Sequence, residues 1–142
     1  MPGVFTAAQC AERPGNGQMG ALILQLQLFS NKFACDRSKI WVIGMSRGEE
    51  VLFTELIHVS DRDRPFPPAT PVFWQAVQKR SAGVILAKSG LPGIPGPQEG
   101  DVRFMDRMAG AGLKKECPLL DYLLVGEASW YSMKAQQLFV VA

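Results

Sequence analysis

The sequence predicts an α/β (α+β) domain in which helices cover both faces of one mixed central sheet, a three-layer α/β/α arrangement. Three observations carry that expectation. Apolar runs of strand length, at 40–45, 51–59, 83–87, 119–125 and 130–133, are bounded by glycine or polar turn residues. Segments of helical period lie near 20–34, ahead of them, and near 71–80 and 98–115, between them. The 142 residues suit a single domain, long enough to bury roughly 70% of the surface that its unfolded chain exposes.

In chain order, residues 1 to about 18 carry Pro2, Gly3, Pro14, Gly15, Asn16 and Gly17, which favour turns, and read as an irregular lead-in. From 20 to 34, Leu22, Leu26, Phe29 and Phe33 follow helical spacing, although Leu22, Leu24, Leu26 and Leu28 also alternate as a strand does; length favours the helix. Ile40-Trp41-Val42-Ile43-Gly44-Met45 reads as a buried strand, Ser46-Arg47-Gly48-Glu49 as a turn, and 51–59 as the antiparallel partner. Four prolines and the cluster Asp61-Arg62-Asp63-Arg64 make 60–71 a long exposed loop. Thr70 is the expected N-cap, with Pro71 opening a helix that ends near Arg80 and buries Val72, Phe73, Ala76 and Val77.

Residues 83–87 suit a central strand. The helix over 98–115 places Val102, Met105, Ala109 and Gly112 on one side, with Phe104, Met108 and Ala111 beside them, and its small residues 109–112 permit close approach to the sheet. The segments 119–125 and 130–133 complete the strands, and no internal repeat is visible. Residues 1–38 are thus the lead-in and a helix, and 39–142 the main body, within one compact domain overall.

Composition narrows the class. Hydrophobic residues at 47% and charged residues at 20% describe a globular chain rather than a disordered one. A net charge of +2, with basic residues scattered among 13 acidic ones, does not support a nucleic-acid surface. Cys10, Cys35 and Cys117 are odd in number and form no Cys-x-x-Cys pair, which points to reduced thiols in a cytoplasmic setting rather than to a disulfide framework or zinc finger. Gln25 and Gln27 interrupt the apolar stretch from 19 to 29, so no membrane span is expected, and that stretch has neither the position nor the basic flank of a signal peptide.

Four stretches resemble the RadC branch of the JAB/MPN (JAMM) metallopeptidase-like family. Gln75-Ala76-Val77-Gln78-Lys79-Arg80-Ser81-Ala82-Gly83-Val84-Ile85-Leu86-Ala87 looks like the helix and strand that precede the family's His-x-His pair. The spacing Pro95-x-Pro97-x-x-x-Asp101 is similar to its loop. Leu119-Leu120-Asp121-Tyr122-Leu123-Leu124-Val125-Gly126 resembles its Val-Leu-Asp-His-x-x-Val-Gly strand, and Tyr131-Ser132-Met133 its Tyr-Ser-Phe ending. The resemblance runs from about residue 39 to 135 and implies the MPN fold.

In active members, the resemblance implies, a Glu on the second hairpin strand is the general acid/base, two His and an Asp bind zinc, and a Ser three residues before that Asp helps hold the oxyanion. Zinc brings the pKa of its bound water near neutrality and the Glu moves its proton. Here Glu55 falls at the Glu position and Asp101 at the Asp position, while the two His positions hold Lys88 and Gly90 and the Ser position Gln98; Pro92-Gly93-Ile94 replaces the family's usual loop residues. The chain thus resembles a degenerate member. A protonated lysine has no lone pair to give a metal, glycine has no side chain, and a single carboxylate does not hold zinc tightly. His58, the one histidine, stands three residues from Glu55, which strict strand alternation places on the opposite face. The positive expectation is that the Lys88 ammonium reaches into the vacated position and pairs with Asp101, and with Glu55, in place of the metal.

Plainer readings stand beside these. Asp101 suits a helix N-terminus, worth about 0.3–1 kcal/mol from the helix dipole; Glu55 suits a solvated strand face, and His58 an edge of the core. Lys88-Ser89 resembles a nucleophile pair only in sequence, since adjacent strand residues diverge; Lys88, Ser89 and Gln98 together mark the vestigial cleft. Trp41, Trp74 and Trp130 lie on separate elements and are expected to serve the core rather than stack bases. Arg62, Arg64 and Phe66 form a candidate partner-binding loop, with Phe66 as an exposed anchor. Two classes of function follow: a catalytically inactive interaction or accessory module, without a cofactor, that associates with itself or another protein; or a zinc-dependent isopeptidase-like hydrolase with unfamiliar ligands. A connection with DNA maintenance or mobile elements comes from the resemblance alone.

Overall fold

β-Branched and aliphatic residues concentrate in the centre of a seven-stranded sheet. In the computed structural model, which describes residues 5–6, 21–27 and 37–140, the elements are β1 (Phe5–Thr6), α1 (residues 21–27), β2 (Lys39–Met45), β3 (Val51–Val59), α2 (Ala69–Gln78), β4 (Gly83–Ser89), α3 (Glu99–Lys114), β5 (Leu119–Val125), β6 (Ser129–Ser132) and β7 (Gln137–Val140). Their order across the sheet is β1-β7-β6-β5-β4-β2-β3. β2 pairs antiparallel with both β3 and β4. β4 and β5 run parallel, and a parallel neighbour needs a crossover, which α3 supplies. β5, β6 and β7 form an antiparallel meander, and β1 lies parallel to β7.

Alternation along the strands divides two cores between the faces. On one, Ile40, Val42, Val84, Leu86, Tyr122 and Leu124 of the sheet pack with Val72, Phe73 and Ala76 of α2 and Phe104 and Met108 of α3. On the other, Ile43, Met45, Ala87, Leu123, Val125 and Trp130 meet Leu22, Ile23 and Leu26 of α1. The result is the mixed three-layer α/β/α domain. Among the described residues no helix is long and apolar enough to cross a membrane.

Several boundaries differ from the pattern-based expectation. α2 starts at Ala69 with Pro68 at its N-cap, so Thr70 does not cap it; Pro71 sits in the first turn, where its missing N–H has no intrahelical partner to lose. Val77 and Trp74 of α2 point outward, as does Val102 of α3, whose buried row is Asp101, Phe104, Met108 and Gly112. β4 continues to Ser89 and carries Lys88 within the ladder. β7 was not legible in the pattern, and the lead-in contains the short strand β1. The rest of the lead-in, the helical expectation beyond residue 27, and Cys10 and Cys35 lie outside the described residues.

Candidate functional site

The site grows from a helix start set against a parallel strand pair. Gln98 has extended backbone at the N-cap of α3, and its N–H donates to Asp101 Oδ2 at 3.1 Å, so the third residue of the helix reaches back to satisfy its start. That turn buries Asp101, which is only 3% exposed. Its other oxygen, Oδ1, accepts from Tyr122 Oη at 2.8 Å and from Lys88 Nζ at 3.3 Å. Lys88 and Tyr122 reach the same carboxylate because β4 and β5 are parallel neighbours, with Leu86 opposite Tyr122 and Lys88 opposite Leu124, so both side chains rise from the same face.

Burying a carboxylate costs several kcal/mol, which excellent pairing must offset. Three donors do so here, one of them charged. Aromatic rings close the site: Phe66 stacks on Phe104 with centroids 4.7 Å apart, Phe104 meets Tyr122 edge-on at 5.4 Å, and Lys88 Nζ lies 5.0 Å from the Phe66 ring centre. Burial first, and then the neighbouring Asp101 charge and hydrogen bond, push the Tyr122 phenol far above its ordinary value, so it stays a proton donor to Asp101.

Glu55 is not joined to this cluster. It is half-buried on β3 opposite Val42, two strands from β4, which places its Cα roughly 12 Å from that of Lys88 by strand spacing and rise. Among the described residues no ion pair links them. Glu55 instead lines a shallow groove of about 420 Å³ with Leu56, Ile57, Thr70, Pro71, Trp74 and Gln75. A bulge at Ile57 breaks the alternation of β3: Glu55 opposes Val42 and His58 opposes Ile40, so both register positions lie on one side of the sheet, contrary to strict period two. His58 Nε2–H donates to the Arg64 carbonyl at 2.7 Å, and among the described residues no group of metal-ligating side chains includes it.

Other sequence-derived positions separate in the same way. Ser89 is fully buried and accepts from Trp41 Nε1 at 2.8 Å, so it belongs to the packing and not to the cleft. Gln98 contributes through its backbone. Gly90 adopts φ of +80°, and a Cβ there would approach the Arg37 carbonyl to 3.3 Å. Phe66 is not an exposed anchor, since it folds back onto Phe104 and beneath Lys88. Arg62 and Arg64 remain exposed, and Arg62 lines a wider cleft of about 640 Å³ with Arg37, Ser38, Ser60, Asp61, Asp63 and Pro65. The Arg64 N–H above all draws the Asp61 carboxyl below its ordinary value and fixes the loop tip. Trp130 and half-buried Trp41 serve the core, but Trp74 does not.

The residue that pattern reading missed is Tyr122. Its signal was present in the Leu-Asp-Tyr strand, where the resembling family carries His. Its neighbour Asp121 fastens β5 to the β6 end, accepting from Ser132 Oγ at 2.6 Å, the Tyr122 N–H at 2.7 Å and the Lys134 N–H at 3.0 Å. Burial nevertheless raises the Asp121 pKa, with these hydrogen bonds opposing the shift.

Against this geometry a zinc ion does not fit the side chains present. The three positions nearest the expected ligand set offer an ammonium, a glycine in the left-handed region and one carboxylate already holding three donors. Among the described residues no group of three His, Cys, Asp or Glu side chains could hold a metal.

The fold and the strand-to-helix turn at Asp101 suit a JAB-type domain. The sequence model of the RadC-like JAB domain matches residues 22–138, most of the chain, and the chain belongs to that family. It is 25% identical over 104 residues to a UPF0758 protein of Desulforudis audaxviator (strain MP104C), covering 73% of this chain and 45% of that protein. It is 24% identical over 115 residues to a UPF0758 protein of Aquifex aeolicus (strain VF5), covering 78% and 48%. A UPF0758 protein of Carboxydothermus hydrogenoformans (strain ATCC BAA-161 / DSM 6008 / Z-2901) is 35% identical over 68 residues, 48% of this chain and 30% of that protein. The chain spans less than half the length of these relatives.

Proposed function

We propose that this chain is a non-catalytic RadC-like JAB domain that acts as an interaction or accessory module, with the Lys88 ammonium standing in for a metal ion. The observation that supports it is the Lys88–Asp101 pair: the residue at the first imidazole position donates to the residue at the surviving ligand position, 3.3 Å away, and Tyr122 holds the same oxygen. A fixed monovalent cation and two further donors satisfy the carboxylate that zinc would otherwise neutralise. Neither Lys88 nor Gly90 can supply the lone pairs that a catalytic zinc ordinarily requires.

Glu55 is a vestige of the general acid/base in this reading, remote from the pair. A DNA-maintenance or mobile-element setting enters through family resemblance, and contact with DNA is not part of the proposal because 15 basic residues are set against 13 acidic ones. The test is metal content and hydrolysis together. Protein purified without chelator and dialysed against zinc should carry far less than one zinc per chain and cleave no isopeptide-linked substrate above background. Stoichiometric zinc with chelator-sensitive cleavage would establish instead a metallohydrolase with non-standard ligands.

A further inference from the structure

The groove between α2 and the inner face of β3 combines an exposed indole with a single carboxylate. Phe53 and Ile57 of β3 pack against the core that holds Val72, Phe73 and Ala76 of α2, and Glu55 lies opposite Val42 of that same core, so its side chain starts from the helix side of the strand. It is half-buried in the groove wall. On α2, Thr70 with Trp74 and Pro71 with Gln75 are spaced i, i+4 and form one helix face, which lines the opposite wall. Trp74 is 59% exposed there. Among the residues lining the groove, Glu55 alone is charged, and among the described residues it takes part in no ion pair. The chain's own Lys79, one turn on from Gln75, is seated instead over the Phe53 ring, 4.5 Å from its centre.

We propose that this groove binds a lysine side chain of a partner protein, with the ammonium on Glu55 and the methylene stem along Trp74. This rests on the interaction-module reading and names the partner's chemistry. Charge complementarity selects a cation, because the one charge in the lining is negative. The indole adds to it, since an aromatic face attracts an ammonium and a lysine stem covers apolar surface while its head stays wet. The acceptors select the kind of cation. An ammonium has three donors, and the lining supplies the Glu55 carboxylate, the Thr70 hydroxyl and the Gln75 amide oxygen. A quaternary ammonium has no N–H for these groups and is recognised in a cage of several rings, whereas a single ring lines this groove. The volume of about 420 Å³ sits at the small end of the roughly 300–1,000 Å³ of ligand sites and suits one side chain.

The probe is a blocked glycine peptide with one central lysine, compared with twins that carry Nε-acetyl-lysine, Nε-trimethyl-lysine or arginine at that place. Each is titrated into the full chain while the Trp74 indole N–H and the backbone signals of Glu55, Thr70 and Gln75 are followed by NMR. The lysine peptide should shift these signals saturably, and the acetylated twin should bind about fivefold more weakly. Glu55→Gln should weaken the lysine peptide by about three- to fivefold and abolish its preference over the acetylated twin, and Trp74→Leu should weaken it about threefold. No saturable shift, shifts confined to other residues, or equal binding of the acetylated twin overturns the proposal. Tighter binding of the trimethyl or arginine twin overturns it in favour of that cation, and concentration-dependent shifts of the same signals without peptide overturn it in favour of a second copy of this chain. The metal assay is independent: a zinc-loaded, hydrolytic chain that still preferred the lysine peptide would overturn the non-catalytic reading and leave the lysine site standing, whereas a zinc-free, inert chain without that preference would overturn the lysine site alone.

Discussion

Lys88 and Asp101 meet where a buried carboxylate needs a cation, and the pair is tested by asking what each residue does alone. Lys88→Met keeps most of the aliphatic length but leaves Asp101 with the Tyr122 hydroxyl and the Gln98 N–H as its donors. A hydrogen bond to a charged group is worth about 1.5–3 kcal/mol, and the single substitution should cost that much in urea unfolding. Asp101→Asn should also destabilise, because it removes the charge that Lys88 faces and weakens the helix start. The double variant should cost less than the sum of the two by about 1 kcal/mol or more, since each single change strands the other partner. Strict additivity in the unfolding midpoints would make Lys88 a bystander whose ammonium merely lies nearby. Tyr122→Phe does not substitute for this cycle, because it removes a neutral donor whose proton stays in place across the accessible pH range.

At the scale of the element, α3 is held by its two ends: a charged N-terminal turn over the site and a small-residue C-terminal turn against the sheet. Gly112 faces inward, and a Cβ there would lie 2.6 Å from the Cys117 carbonyl oxygen and 3.2 Å from the Leu119 nitrogen, both backbone atoms that cannot swing aside. Gly110, two residues earlier, is exposed with nothing within 4 Å of that position. Gly112→Ala should therefore destabilise by about 1–3 kcal/mol through overpacking, whereas Gly110→Ala should stabilise by about 0.5–1 kcal/mol through helix propensity alone. Opposite shifts in thermal midpoint are the expected readout, and equal shifts would remove the packing argument. The same helix shows why some elements were legible in the sequence. Its amphipathic length and the Pro-punctuated approach fixed 98–115 to within a residue of the observed helix and caps, and alternating or β-branched runs did so for β3 and β5. β7, four residues ending in an exposed Val140, offered too short a pattern. The start of α2 was misplaced because Thr70-Pro71 imitates a cap and first turn, while the chain enters the helix one proline earlier. Tyr122 and Phe66 could not be assigned to the site from local pattern, since the first depends on β5 lying beside β4 and the second on a loop folding back onto α3.

Over the whole molecule, the residues that the sequence resemblance sets at the site positions come from three separate elements: Glu55 from the edge strand, Lys88 from the central β4, and Asp101 from the first turn of α3. The sheet and its crossover position them, and two apolar cores, one on each face, hold the layers together. In the non-catalytic reading proposed above, stability does not depend on a metal, which is the condition under which ligands can be lost while the fold persists. Rebuilding the ligands then asks whether the frame itself has drifted. In Lys88→His/Gly90→His, the first imidazole would enter on a regular strand position, but the second would begin from a residue at φ of +80°, a region that costs a non-glycine residue of order 1–3 kcal/mol, with the Arg37 carbonyl 3.3 Å from its Cβ. Asp101 would meanwhile remain engaged by Tyr122 and by the Gln98 N–H. The double variant should therefore fold with a lowered thermal midpoint and show no zinc-dependent rise in that midpoint, although both missing residue types have been returned. A rise of the size expected for tight one-to-one binding, about 2.7 kcal/mol of added stability at a hundredfold excess over Kd, would show instead that the backbone path through residues 88–101 is still competent for metal and that the two substitutions alone emptied it.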